Sequence, residues 1–122
     1  MTEAKQRDYY KNAGETVSLQ INCGPVLPQG ETIDAVLIAE ISQKDGEGMM
    51  IVGTDKLTFA SLAPNTAAIK EPGLEAIPIG RGIVGLVSGG PAGVAQPIKI
   101  TIPFTTSGGQ RRDAEILLEI RF

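Results

Sequence analysis

Ile98-Lys99-Ile100-Thr101-Ile102-Pro103-Phe104-Thr105-Thr106, then Ser107-Gly108-Gly109-Gln110, then Ala114-Glu115-Ile116-Leu117-Leu118-Glu119-Ile120-Arg121-Phe122, is the stretch that decides the fold. Ile98, Ile100, Ile102 and Phe104 alternate with Lys99, Thr101, Pro103 and Thr105. Ala114, Ile116, Leu118, Ile120 and Phe122 alternate with Glu115, Leu117, Glu119 and Arg121. Side chains on a strand point alternately to opposite faces, so each run buries one row and wets the other, and the glycines between them permit the reversal. The stretch predicts a β-hairpin with one apolar face. A hairpin alone is marginal in water, so the rest of the chain must supply an opposing layer.

Upstream, Val17, Leu19 and Ile21 alternate with Thr16, Ser18 and Gln20 and predict a strand. Cys23-Gly24-Pro25 ends it, and Leu27-Pro28-Gln29-Gly30 reads as a turn. Ile33 to Ile41 reads as the longest early strand, apolar on both faces, as a strand lying under a neighbour would be. Lys44-Asp45-Gly46-Glu47-Gly48 carries the Asp-Gly hairpin signal, with Met49 to Val52 returning. Shorter strands are expected at Leu57 to Phe59 and at Ile83 to Val87. Ser88-Gly89-Gly90-Pro91-Ala92-Gly93 reads as a loop. Pro103 cannot donate to a ladder, which places its strand at an edge or at a bulge.

Roughly seven or eight short strands with frequent turn signals predict an all-β fold, an antiparallel β-sandwich of Ig-like or jelly-roll type. At 122 residues the chain is expected to form one such domain over 15–122, preceded by an extended N-terminal arm over 1–14. Only 4% of residues are aromatic and none is Trp, so the core must be aliphatic. On the polar arm, adjacent Tyr9 and Tyr10 read either as packed on the domain or as a docking anchor.

The formal charge is −3, without a cluster of Lys or Arg, which argues against nucleic acid as a partner. The N-terminus lacks an apolar leader core and no run approaches about 18 apolar residues, so neither signal peptide nor membrane span is expected. The single cysteine, Cys23, reads as a small buried side chain.

Catalytic chemistry finds little to work with. The chain has no histidine, the usual general base, metal ligand and nucleophile activator. Gly80, Gly82 and Gly85 spell G-x-G-x-x-G, but no helix can follow through Ser88-Gly89-Gly90-Pro91, and the dinucleotide reading fails. Asp34 and Glu40 are too far apart on one strand, about 20 Å, for a glycosidase pair. Asp45 and Glu47 lack an EF-hand ligand ladder and read as a plain turn. Arg111 and Arg112 read as solvated turn charges near Asp113 and Glu115. No catalytic residue, metal ligand or cofactor is expected, and the chain is read as a non-enzyme that works by presenting edges and loops.

The C-terminal third carries a resemblance. Val87-Ser88-Gly89-Gly90-Pro91-Ala92-Gly93, Ile98-Lys99-Ile100-Thr101-Ile102 and Thr105-Thr106-Ser107-Gly108-Gly109-Gln110-Arg111-Arg112-Asp113-Ala114-Glu115-Ile116 resemble small virion proteins of tailed bacteriophages. Those have a G-G-x-x-G loop, an alternating strand, an I-T-T-x-x-G-R turn and a last strand of the form x-x-E-x-x-I-x-V. Asp8-Tyr9 and Gly30-Glu31-Thr32-Ile33 are similar to their D-Y and G-E-T-I stretches. The resemblance implies a head decoration or cement protein that binds the outer capsid surface. Its partner would be the major capsid protein and its location the virion, and it would act as a homo-oligomer, dimer or trimer. Expected shell contacts are Tyr9, Tyr10, Leu27, Pro28, Gly89, Gly90 and Pro91. The alternatives are a neck, tail or fibre-base component, or a ligand- or carbohydrate-binding module. The last is weakened by the lack of Trp for a sugar platform.

Overall fold

The terminal hairpin forms as its alternation dictates. In the computed structural model, which describes residues 9–12, 14–53, 56–89 and 97–121, it comprises β7 (Ile98–Thr106) and β8 (Arg111–Arg121). Ile98 pairs with Leu118, Ile100 with Ile116 and Ile102 with Ala114, and all six side chains are buried. Six further strands precede it: β1 (Tyr9–Asn12), β2 (Val17–Asn22), β3 (Ile33–Val36), β4 (Ser42–Lys44), β5 (Leu57–Pro64) and β6 (Gly82–Gly89). Apart from two 3-10 turns, at Gly24–Val26 and Ile38–Glu40, the named elements are all strands, and the fold is all-β.

The strands make two sheets. The larger is five-stranded, in the order β1-β8-β7-β3 with β4 also pairing β7, and the smaller is three-stranded, in the order β2-β6-β5. Leu19 and Ile21 of β2, Leu57 and Leu62 of β5, and Ile83 and Val87 of β6 meet the hairpin's buried row in one aliphatic core, with Phe104 as its largest apolar member. Each buried Ile, Leu or Phe of this kind contributes about 1.5–3 kcal/mol. The two outer faces contrast. On the larger sheet Lys99 and Glu115 pair at 3.6 Å. The smaller sheet shows Ser18, Leu86 and Ala60 side by side, with no charge among them.

Three expectations are corrected. The N-terminal arm does not extend to residue 14: Tyr9–Asn12 is a strand of the larger sheet, paired parallel to β8 from Tyr9 opposite Leu118 to Asn12 opposite Arg121. That pair also makes the sheet mixed rather than purely antiparallel. Residues 1–8 lie outside the described residues.

The strand expected over Ile33 to Ile41 stops at Val36. Val36 pairs Phe104 and Ser42 pairs Thr101, so residues 37–41 face only Ile102 and Pro103 of β7. The surplus chain leaves the ladder as the Ile38–Glu40 turn. Pro103 is the cause on the facing side. Its strand is central rather than an edge, but the Leu37 N–H donates to its carbonyl at 2.8 Å, and where an amide would otherwise need a partner Pro has none.

Finally, Leu27 is buried in the core instead of forming an exposed turn. The 3-10 turn before it, started by Pro25, carries its side chain inward.

Both open sides between the sheets are closed by side chains. On one, the Tyr9 hydroxyl donates to the Gln20 carbonyl at 3.0 Å, from β1 to β2. On the other, Gln43 of β4 reaches β5: its Nε2 donates to Leu57 O at 2.9 Å and its Oε1 accepts from Leu57 N at 2.7 Å. A buried glutamine thereby serves one residue of β5 as an adjacent strand would.

Candidate functional site

At one end of the molecule the Gly30–Ile33 and Thr105–Arg111 stretches are brought together. Glu31 Oε1 accepts from Thr106 Oγ1 at 2.6 Å and from the Gly108 N–H at 3.0 Å. Thr32 N donates to Ser107 Oγ at 3.1 Å, and Ser107 N returns a bond to Thr32 O at 2.8 Å. Arg81, entering β6, donates to Glu31 O at 2.7 Å. One carboxylate oxygen thus organises the hairpin turn, because Glu31 is the nearest acceptor for an N–H the turn leaves unpaired. A Cβ on Gly108 would lie 2.5 Å from that same oxygen, so any larger residue there would push the Glu31 carboxylate out of place.

Beside this lock is an open cleft of about 370 Å³, lined by Asn22, Gly24, Pro25, Glu75, Ala76, Pro78 and Arg81. Asn22 Oδ1 is already taken by the Gly24 N–H at 2.9 Å. Glu75 and Arg81 give the cleft one acidic and one basic side chain, both able to make polar contacts. Among the described residues no group of three or more His, Cys, Asp or Glu is placed to hold a metal ion.

The expected contact residues are dispersed. Pro28 is half-buried at the Glu31 end, while Gly89 closes β6 at the other end, about 23 Å away along the strand. Gly90 and Pro91 lie outside the described residues. Tyr10 is exposed at the edge of the larger sheet opposite Glu119, and Tyr9 is half-buried against the core. Leu27 is unavailable to a partner. Arg111 Nη1 donates to both carboxylate oxygens of Glu40, at 3.1 and 3.2 Å, rather than meeting Asp113 or Glu115, and Arg112 is held by Gln110 Oε1 at 2.6 Å. These exposed pairs contribute well under 1 kcal/mol each.

The glycines of the G-x-G-x-x-G spacing serve close packing. A Cβ on Gly82 would lie 2.6 Å from Ile77 Cγ2 and 3.0 Å from Ile21 O. The carboxylate of Asp45 accepts from the Glu47 and Met49 N–H groups, at 2.9 and 3.0 Å, and holds its turn as a side-chain cap.

What sequence reading missed is the buried polar set, Lys11, Gln43, Asn65 and Thr106. Asn65 ties three segments: its Oδ1 accepts from Gly82 N at 2.9 Å, and its Nδ2 donates to Ala67 O and Pro78 O at 3.0 Å each. The only signal in the sequence was its place after Pro64, where Asn commonly bonds nearby backbone. Lys11 donates from Nζ to Asn12 O at 2.8 Å, and burial lowers its pKa, partly offset by the charge of Glu15.

Burial pushes the Cys23 thiol up to about 12, with a backbone hydrogen bond at Ile83 acting the other way. A thiol whose folded pKa lies above its unfolded value of about 9 stabilises the fold below that value, and the contribution is lost as pH rises from 9 towards 12. Wild type should therefore lose about 1.4 kcal/mol between pH 8 and pH 10 relative to Cys23→Ala, measured by urea unfolding at both pH values. Taking the difference removes Lys11, whose depressed pKa acts with the opposite sign in the same range.

No family model, no curated protein and no solved structure matches the chain.

Proposed function

We propose that the chain is a non-enzymatic structural protein of a tailed-phage virion. In this reading it is a head decoration protein whose two sheets form a β-sandwich on the outer shell, bridging neighbouring major capsid subunits. The observation that carries the reading is the Glu31 lock. The two stretches that resemble the virion family, Gly30–Ile33 and Thr105–Arg111, lie far apart in sequence yet share one carboxylate through Thr106 and Gly108. Their common motif residues thereby have a joint purpose, a stiff loop end, and stiff loops bind a repeating surface without a large ordering cost.

A non-enzymatic role is supported by the sequence, which has no histidine, and by the employment of the buried polar side chains. Gln43, Asn65, Thr106 and Lys11 all bond to backbone or to Glu31 within the fold. With Leu27 in the core, the contacts assigned to the shell are Tyr10, Pro28, Gly89, Gly90 and Pro91.

The test is direct. Purified protein is mixed with expanded heads that lack it, and the particles are imaged by cryo-electron microscopy. Added density at equivalent positions on every face is the expected result. Density confined to the unique vertex or tail would replace decoration by a neck or tail role. Bare particles would favour the ligand-binding module.

A further inference from the structure

The geometry points to the Gly48–Gly53 edge of the larger sheet as a self-pairing edge, through which two copies of this chain join antiparallel about a two-fold axis at Met50. The argument begins with how the other edges are protected. β5 is bulged where Ala60 and Ala63 shift register, at Ser61 with φ +57, ends in Pro64, and has Leu57 capped by Gln43. β2 has its Gln20 carbonyl taken by Tyr9. β1 offers only four residues. Short length, bulges, proline and covering side chains are the usual means of keeping a sheet edge from recruiting another strand.

The segment after β4 is short too, but it has no bulge, proline or covering side chain. Asp45 N donates to Met49 O and Ile51 N to Gln43 O, both at 2.9 Å, around the Lys44–Met50 bridge. Met49 to Ile51 therefore continues the larger sheet beyond β4. Backbone groups alternate in direction along an extended strand, so Met50 turns its N–H and C=O outward, as does Val52 its N–H. Among the described residues neither has a hydrogen-bond partner. Val52 at 73% and Met49 at 65% are the two most exposed large apolar side chains among the described residues, and Met50 between them is 53% exposed.

A second copy fits this edge because the edge complements itself. With the axis at Met50, the two Met50 residues exchange both backbone bonds, and each Val52 lies opposite the partner copy's Gly48, where the chain leaves its turn. Met50 then lies beside its own copy on one face, and Val52 has the room left by the missing Gly48 side chain. On the other face Met49 of each copy covers half-buried Ile51 of the other. An isologous contact sets like against like near its axis, where any charge would face itself. Residues 48–53, Gly-Met-Met-Ile-Val-Gly, carry none. Flexible methionines adapt to such a seam. The dimer would be one of this chain alone and does not depend on the virion reading.

Sedimentation velocity of the full chain between about 1 and 300 µM tests it. Wild type is expected to move from the 12.8 kDa monomer towards twice that mass. Met50→Lys and Val52→Pro are each expected to weaken the dimer about tenfold or more, while Leu86→Lys on the outer face of the smaller sheet leaves it unchanged. Hydrogen exchange of the Met50 amide should slow with concentration in wild type only. A wild type that stays monomeric throughout overturns the proposal and leaves the edge to a strand of a different protein. So does a dimer that Leu86→Lys disrupts and Met50→Lys does not. Since Met50 and the Val52 N–H are idle within the fold, unchanged melting at the lowest concentration certifies that the variants are folded.

Discussion

Gln43→Leu should lower the unfolding free energy by about 3 kcal/mol, read as a drop in the urea midpoint at unchanged slope. The leucine fills the space but leaves the Leu57 N–H and C=O without partners in a buried site, where each orphaned group costs about 1–3 kcal/mol. Gln43 itself is 1% exposed, so water cannot substitute. Gln43→Glu separates this account from simple loss of shape. The carboxylate keeps the bond from Leu57 N but sets a second acceptor against Leu57 O, and burial further disfavours its charge. Its folded pKa must then lie above the ordinary value of about 4.3. A raised carboxyl pKa makes the stabilising contribution complete below the unfolded pKa and loses it as pH rises through the folded one. Gln43→Glu should therefore be close to wild type at pH 3.5, where its O–H donates to Leu57 O, and weaker by about 2 kcal/mol or more at pH 7. A deficit independent of pH would show that the two bonds to Leu57 are not what the residue supplies.

Gly85→Val is the second large effect, about 3 kcal/mol or more of lost stability. Gly85 lies opposite the β5 bulge, where Ser61 and Leu62 together face one residue of β6. A Cβ there would overlap Leu62 Cδ2 and come within 3.0 Å of both Ala60 O and Leu62 Cα. The first neighbour can move and the other two cannot, since they belong to the backbone. Gly85→Ala should accordingly cost less than valine, and Leu62→Ala in that background should return part of the loss, a coupling that thermal melts of the double-mutant cycle would expose. Full additivity of the two changes would mean that the glycine is not making room for Leu62.

These two residues also mark how far the sequence could be read. β7 and β8 are legible because each buries one strict row against one core, so a period of two survives in the residues. β2 is legible for the same reason, and β6 as a short apolar stretch bounded by glycines. Ile33 to Ile41 misleads because apolar residues on both faces say that the segment is covered but not by what. The end of β3 is set by Pro103, distant in sequence, and by a count of residues across the gap to β4. β1 left no trace, since Tyr9-Tyr10-Lys11-Asn12 has neither apolar alternation nor a nearby hairpin partner, and its mate is the last strand of the sheet. Gln43 and Asn65 look like ordinary surface polars. Their burial is decided by which backbone groups lack partners, a tertiary fact. The contact residues fared unevenly for a related reason: turn-forming residues mark where the chain bends, and Leu27 shows that a bend can still point inward.

The pairing of β1 with β8 has a consequence for how the molecule comes to exist. The first described strand is held by the last, and β3 and β4 both wait for β7, so apart from the β7–β8 hairpin every strand pairing of the larger sheet joins distant parts of the chain. The smaller sheet needs β6 before β2 has any neighbour. On a ribosome, the first half of the polypeptide would emerge with its apolar rows exposed and nothing to pair with, and closure would follow only once the final hairpin was free. Such non-local topologies fold slowly, in milliseconds to seconds, because loop entropy is lost before contacts repay it. The nascent chain must therefore stay dispersed through that interval, and its scarcity of aromatic residues and its frequent glycines and prolines weaken premature strand association while it waits.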